Sequence, residues 1–118
     1  MVEFAIAGAV FVMMVLGILE FGLAAWAKNS LVSDAREGAR YAMVRGATSG
    51  RVADSAMIAG FVKSQTSLDS SIQVITTWSG AKAAGTTVTV QVKHAVPRRG
   101  PFLAEHIDSS ASTMVVLF

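Results

Sequence analysis

The stretch that decides the fold is residues 4–27, FAIAGAVFVMMVLGILEFGLAAWA, in which Glu20 is the one charged residue. As an α-helix this segment would be about 36 Å long, against roughly 30 Å for the hydrocarbon core of a bilayer. Its Leu, Ile, Val and Phe residues outweigh the cost of an acidic residue, which is about 2.5 to 3.5 kcal/mol on insertion scales. The segment therefore predicts a helix that can span a membrane.

A secretory signal peptide is the competing interpretation. Signal peptides have an apolar core of only about 7 to 15 residues that follows a basic stretch, and residues 1–3, MVE, contain no basic residue. The positive-inside rule would place the basic residues that follow the span in the cytoplasm, namely Lys28, Arg36, Arg40 and Arg45. Removal of an earlier basic leader would cancel that inference, so the orientation stays open.

The rest of the chain has ordinary polarity, although the whole chain of 118 residues is 53 % hydrophobic and only 15 % charged. The part after Ala27 is large enough for one small domain. The absence of cysteine excludes disulfides, a thiolate nucleophile and cysteine-ligated zinc, and two histidines leave few ligands for other metals. We therefore expect no metal site, no cofactor and no catalytic residues.

The helical pattern continues without a proline from Ala27 to about Gly46, and it changes from apolar all round to amphipathic. Small residues spaced four apart leave a shallow groove, which a small sheet or a second helix can approach closely. A helix over residues 1–46 would be roughly 69 Å long, so about half of it would stand outside lipid. The residues predicted to pack the head on this helix are Leu31, Ala35, Gly38, Ala42 and Gly46.

A break follows the long helix at residues 47–50, ATSG, with Gly46 predicted as the C-cap. Residues 51–65, RVADSAMIAGFVKSQ, contain good helix formers and no proline. We expect a second helix there.

The C-terminal part predicts a small antiparallel sheet. Residues 72–78 and 87–93 are rich in β-branched residues and are joined by a glycine-bounded hairpin loop at 79–85. Residues 102–106, FLAEH, predict one helical turn, and residues 112–118, STMVVLF, predict a third strand. Such a sheet is not stable alone and needs an apolar cover, which the small-residue face of the long helix offers.

Three motifs in the first helix resemble one family in wording and spacing: VEFA at residues 2–5, Glu20 followed by Phe21 and Gly22, and AREGARYA at residues 35–42. They resemble the TadE-like pilins of the tight-adherence (Tad, or Flp) type IV pilus. The resemblance implies an α+β, type IV pilin-like fold, in which a second helix and a small antiparallel sheet pack on the C-terminal half of a long N-terminal helix. The family usually has its glutamate at the fifth position after cleavage by prepilin peptidase, whereas Glu3 is third here.

The resemblance also implies a function. The protein would be a structural subunit that lies in the inner membrane before assembly and then in an extracellular filament that serves adhesion or surface attachment. Its partners would be further copies of itself, other minor pilins, prepilin peptidase and the inner-membrane assembly platform. Residues 1–27 would form the membrane and filament-core helix, and residues 28–118 the head. The predicted subunit-interface residues are Glu3, Phe4, Ala5, Gly8, Ala9, Gly17, Glu20 and Gly22.

Two acidic residues of the apolar helix have separate interpretations. Glu3, carried over from the family's glutamate, would pair with the α-amino group of a neighbouring subunit, because an unpaired carboxylate in a dry core is costly. Glu20 is either a functional residue, meeting Lys28 of another copy, or a carboxylate that reaches the membrane interface. The sequence leaves both interpretations of Glu20 open.

A monomeric, membrane-anchored protein that presents a small basic domain is the alternative function. Lys93, Arg98 and Arg99 gather near one turn and form a candidate basic surface patch. Such a patch could attract a nucleic acid, but no aromatic stacking platform accompanies it. His106, Asp108 and the nearby serines carry no nucleophile motif and are expected in a surface loop, and His94 is expected at the surface.

Overall fold

A computed structural model describes residues 1–69, 71–98 and 100–118 of the chain. The molecule is elongated, with extents of 74 × 21 × 18 Å. A long helix is followed by a short helix and a three-stranded antiparallel sheet, which confirms the predicted α+β arrangement. The elements are α1 (Val2–Met43), α2 (Ser55–Gln65), β1 (Gln73–Trp78), β2 (Thr87–Val96) and β3 (His106–Val115).

Helix α1 ends at Met43, three residues before the expected C-cap at Gly46. Val44 is the C-cap, and the C-terminal segment closes this end of the helix because Leu117 N–H donates to the Met43 carbonyl at 2.9 Å. Gly46 is buried, and a Cβ there would overlap the Phe118 carbonyl oxygen and lie 2.7 Å from the Lys82 carbonyl oxygen. The glycine is needed for close approach of backbones and not as a helix cap, so that prediction was wrong.

Helix α2 begins at Ser55, four residues later than the predicted start at residue 51. Asp54 is its N-cap, with a side-chain oxygen that accepts from the Ser55 N–H at 2.8 Å. The preceding residue, Ala53, is fully buried and donates its N–H to the Arg45 carbonyl at 2.9 Å. A tertiary contact therefore keeps this segment extended, although its residues are compatible with a helix.

The sheet has the order β1-β2-β3, with β2 in the centre. Strand β2 extends to Val96, three residues beyond the prediction, because β3 pairs with it from Thr87↔Val115 to Val96↔His106. The third strand therefore begins at His106 and ends at Val115, not at residues 112–118. The single helical turn predicted at 102–106 is absent, since no helix is assigned there and His106 already pairs in the sheet.

The core lies between the C-terminal half of α1, helix α2 and one face of the sheet. Leu31, Ala35 and Ala42 of α1 are fully buried, and Gly38 is also buried. A Cβ at Gly38 would lie 2.7 Å from Val62 Cγ2 of α2 and 3.0 Å from Val90 Cγ1 of β2. Small residues on this face let the sheet and α2 contact the helix backbone, so the apolar face is covered within the chain.

Candidate functional site

The N-terminal half of α1 is a continuous exposed apolar surface, which we call the bare segment, Val2–Leu23. Every large apolar side chain in it is exposed, from Phe4 at 82 % to Val15 at 39 %. Among the described residues, α1 is the one helix long and apolar enough to cross a membrane. A surface of this size marks a site for lipid or for protein association.

The bare segment contains the small residues that the sequence predicted at the subunit interface. No other described residue comes within 4 Å of a Cβ built at Gly8 or Gly22. At Gly17 such a Cβ would lie 3.9 Å from two ring carbons of Phe102. Ala5 and Ala9 are also exposed. Gly8 and Gly22 therefore have no packing role within this chain, whereas Gly17 receives a side chain of the head.

Glu20 is held by the head of its own chain. One carboxylate oxygen, Oε2, accepts from the backbone N–H groups of Phe102 at 3.2 Å and Leu103 at 3.0 Å. A Cβ at Gly100 would overlap Oε1 of the same carboxylate, so a larger residue at that position would require the Glu20 side chain to shift. Lys28, the other charged residue expected to meet Glu20 between copies, donates from Nζ to the Ser109 carbonyl at 2.6 Å.

A cavity of about 220 Å³ lies between α1 and the head beside Glu20. Leu23 and Trp26 form part of its helix side, and Val96 and Leu103 part of its head side. His94 also lines it and is 5 % exposed, so the expectation that His94 is a surface residue was wrong. Its Nδ1 is buried with no hydrogen-bond partner in the described part of the chain.

The candidate basic patch is only partly described. Lys93 is half-buried on β2, and Arg98 is exposed, with its Nε donating to the Gly100 carbonyl at 3.3 Å. Arg99 lies outside the described residues. The patch as a whole stays a prediction.

His106 and Asp108 lie in strand β3 and not in the surface loop expected from the sequence. His106 Nε2 is 3.4 Å from Asp108 Oδ2. A hydrogen bond with the Ala104 carbonyl raises the pKa of His106 above 6.5, slight burial opposes this, and the Asp108 charge raises it further. Within residues 1–69, 71–98 and 100–118, no group of three or more His, Cys, Asp or Glu side chains could hold a metal ion.

The contact between residues 100–103 and Glu20 was not predicted from the sequence. The signal was available in Gly100, followed by Pro101, Phe102 and Leu103, because an apolar tripeptide in a polar loop needs an apolar neighbour. The sequence does not show which segment this tripeptide contacts. Glu20 is about 80 residues away along the chain, and contacts at that separation depend on the whole fold.

A long helix with a bare N-terminal half and a small α+β head packed on the other half defines the pilin-like class of architecture. Residues 1–40 match the model of a protein family described as TadE-like protein. This match confirms the family resemblance of the N-terminal helix. No curated protein and no solved structure gives a significant match to the chain.

Proposed function

We propose that the protein is a structural subunit of a Tad-type pilus filament that polymerises through its bare segment and serves surface attachment. The TadE-like match of residues 1–40 supports an association with this pilus system. In this proposal residues 1–27 form the membrane and filament-core helix, and residues 28–118 form the head. The assembly platform, prepilin peptidase and other minor pilins are the further partners that the family suggests.

The bare segment is the observation that carries the proposal. Covering a large apolar side chain contributes about 1.5 to 3 kcal/mol, so covering the whole segment is favourable by on the order of tens of kcal/mol before entropy losses. The head already covers its own half of α1 and leaves the large apolar side chains of Val2–Leu23 exposed. Lipid can cover the segment before assembly, and further copies of the chain can cover it afterwards.

Copies that pack side by side with an axial offset make a heterologous contact, which generates a helical polymer when it does not close into a ring. Gly8 and Gly22 suit such a contact, because both are open and would let a neighbouring helix approach the backbone. Glu3 is exposed in the first turn of α1. We assign it the pairing with the α-amino group of a neighbouring copy, which would set the axial register.

The experiment is electron microscopy of material sheared from the cell surface, with mass spectrometry of its subunit. We expect regular filaments that contain this chain. Glu3→Ala and Gly8→Leu should each reduce the filament yield while leaving the amount of membrane-inserted protein unchanged, since Glu3 is exposed and no described residue of the head lies near Gly8. The matched control is Ser71→Ala, an exposed position of the head, which should leave the yield unchanged.

Recovery of the chain only in membrane fractions, with no filament that contains it, would contradict the proposal. That result would favour a monomeric membrane-anchored protein. Unchanged filament yield in Glu3→Ala would remove the assigned pairing but leave polymerisation through the bare segment in place.

A further inference from the structure

The loop of residues 100–104, GPFLA, which we call the apolar loop, lies along one turn of α1. Two of its N–H groups bond to Glu20, and the ring of Phe102 approaches Gly17. The loop therefore stands beside the helix at the level of residues 17–20. This level belongs to the bare segment and not to the part of α1 that the core covers.

The level of the loop relative to a bilayer follows from the helix geometry. A hydrocarbon core of roughly 30 Å takes about 20 helical residues. A core that ends at Trp26 contains Glu20 about 9 Å inside its boundary, and a core that starts at Val2 ends next to Glu20. Gly17, and with it the Phe102 ring, lies within the core in both placements.

The side chains of the apolar loop suit this position. Phe102 is 52 % exposed and Leu103 is 37 % exposed, although both are apolar. Leu103 lines the same cavity as Leu23 and Trp26, and Phe102 lies beside Gly17, so both extend the apolar surface of the bare segment sideways. The apolar face of an interfacial amphipathic helix is buried by about 5 to 10 Å at the boundary between headgroups and acyl chains, and the apolar side chains of this loop suit the same depth.

Polar groups at the same level bond to one another. In lipid an unpaired carboxylate is costly, and so is an unpaired backbone N–H. The hydrogen bonds between Glu20 and the N–H groups of Phe102 and Leu103 lower both costs at once. The contact would let a carboxylate and a non-helical loop enter the edge of the hydrocarbon together.

A cation stands next to the loop on the side of the head. Arg98 is exposed, and its hydrogen bond to the Gly100 carbonyl places its guanidinium group beside the apolar loop. A basic residue just outside the hydrocarbon attracts anionic headgroups, at about 1 kcal/mol for each cation near the surface. The combination of an apolar tip and a neighbouring arginine fits an anionic phospholipid leaflet.

We propose that the apolar loop is a lipid-inserting element that enters the leaflet on the side of the head, with Glu20 as its anchor and Arg98 on the phospholipid headgroups. The proposal rests on the membrane stage of the proposed function and not on polymerisation. Because the loop is docked within a single chain, it meets lipid whenever α1 spans a bilayer. A neighbouring copy of the chain is the other occupant of this face, and the test separates the two.

The test uses the full chain in vesicles that contain phosphatidylglycerol and phosphatidylcholine, with few protein copies per vesicle. The chain has no cysteine, so Phe102→Cys can carry a single fluorophore. Nitroxide groups on the acyl chains should lower its emission by about twofold or more, as expected for a group inside the hydrocarbon. Phe11→Cys in the bare segment reports insertion of the helix, and Val115→Cys, at the far end of β3, reports a site outside lipid.

The proposal would be overturned if the fluorophore at position 11 is quenched but the one at position 102 is quenched no more than the one at position 115. A disulfide between two unlabelled copies of the Phe102→Cys variant, with no quenching at that position in the labelled protein, would identify a neighbouring copy as the occupant and would also overturn it. Because the quenching measurements need only single inserted copies, their failure is distinguishable from failure to form filaments.

Two further variants test the anchor and the cation in the labelled protein. Glu20→Ala should abolish quenching at position 102 while quenching at position 11 persists, and Glu20→Gln, which keeps one acceptor oxygen, should restore part of it. Arg98→Gln should remove the dependence of the quenching on phosphatidylglycerol. Unchanged quenching in Glu20→Ala would refute the anchor, and quenching that never depended on phosphatidylglycerol would refute the headgroup contact.

Discussion

Both halves of helix α1 have apolar surface, on one face in the C-terminal half and all round in the N-terminal half, and the two surfaces are covered in different ways. In the C-terminal half, Leu31 is surrounded by alanine and glycine positions, and the sheet and α2 contact the helix backbone. In the N-terminal half, large side chains such as Phe4, Phe11 and Phe21 project on all sides and remain exposed. Apolarity alone predicts burial of both halves. The size of the side chains decides whether a compact domain of the same chain can approach.

Because the two halves are covered differently, substitutions in them should affect different properties: the stability of the head or the assembly of copies. Substitutions in the covered half should change the free energy of unfolding of the head, because they alter packing within one chain. Except at Gly17 and Glu20, which the apolar loop contacts, substitutions in the bare segment should leave that free energy unchanged and act on membrane insertion or on contacts between copies. Trp78 packs against the core, so its fluorescence in detergent, in a Trp26→Phe background, reports unfolding of the head.

The largest loss of stability is expected for Leu31→Ala, which removes the largest fully buried side chain of α1. Loss of a buried leucine leaves a cavity and should lower the free energy of unfolding by about 2 to 5 kcal/mol. Leu16→Ala, the same change at a 42 % exposed position of the bare segment, should leave the Trp78 transition unchanged. Equal losses of unfolding free energy in the two variants would show that the two halves of α1 do not differ in their contribution to the stability of the head.

A smaller effect is expected for Gly38→Ala. The added methyl group would crowd Val62 and Val90, which costs about 1 to 3 kcal/mol in a packed core, but alanine regains about 1 kcal/mol of helix propensity. The net loss should be about 0 to 2 kcal/mol in the urea or thermal unfolding of the head. Gly22→Ala meets nothing within 4 Å and is the control. Destabilisation by Gly22→Ala would show that contacts between the head and the bare segment extend beyond Gly17 and Glu20.

The smallest effect on stability is expected for a substitution of His106, which lies at the start of β3 and near the apolar loop. Its pKa is raised, first by the hydrogen bond with the Ala104 carbonyl. A raised pKa stabilises the fold at pH values below about 6.5, and this contribution is lost as the pH rises through the higher folded value. His106→Gln should therefore lower the melting temperature slightly at about pH 5.5 and not at about pH 8.5.

His106 is solvent-exposed, so the effect should shrink in high salt. A larger effect of His106→Gln in alkaline than in acidic solution would contradict the assigned direction. Asp108→Asn is the companion variant, because it removes the Asp108 charge and leaves the Ala104 hydrogen bond, so it should reduce the pH dependence without abolishing it.

Much of the fold could be read from local patterns. The unbroken apolar run predicted α1, and the alternating valines at 88, 90 and 92 predicted the buried face of β2. The ends of elements were less accessible: Ala53 holds the segment before α2 extended, and pairing with β2 moves the start of β3 back to His106. These ends depend on partners distant in sequence, which a local pattern does not contain.

By itself, the sequence determined that one half of a long helix is apolar on every side and that a small head follows, because composition and periodicity are properties of neighbouring residues. Only the tertiary structure decided that Glu20 is bonded to Phe102 and Leu103, that Gly100 makes room for it, and that His94 is buried. The physical reason is that hydrogen bonds and steric fit act over a few ångströms. They join residues that only the folded chain brings together.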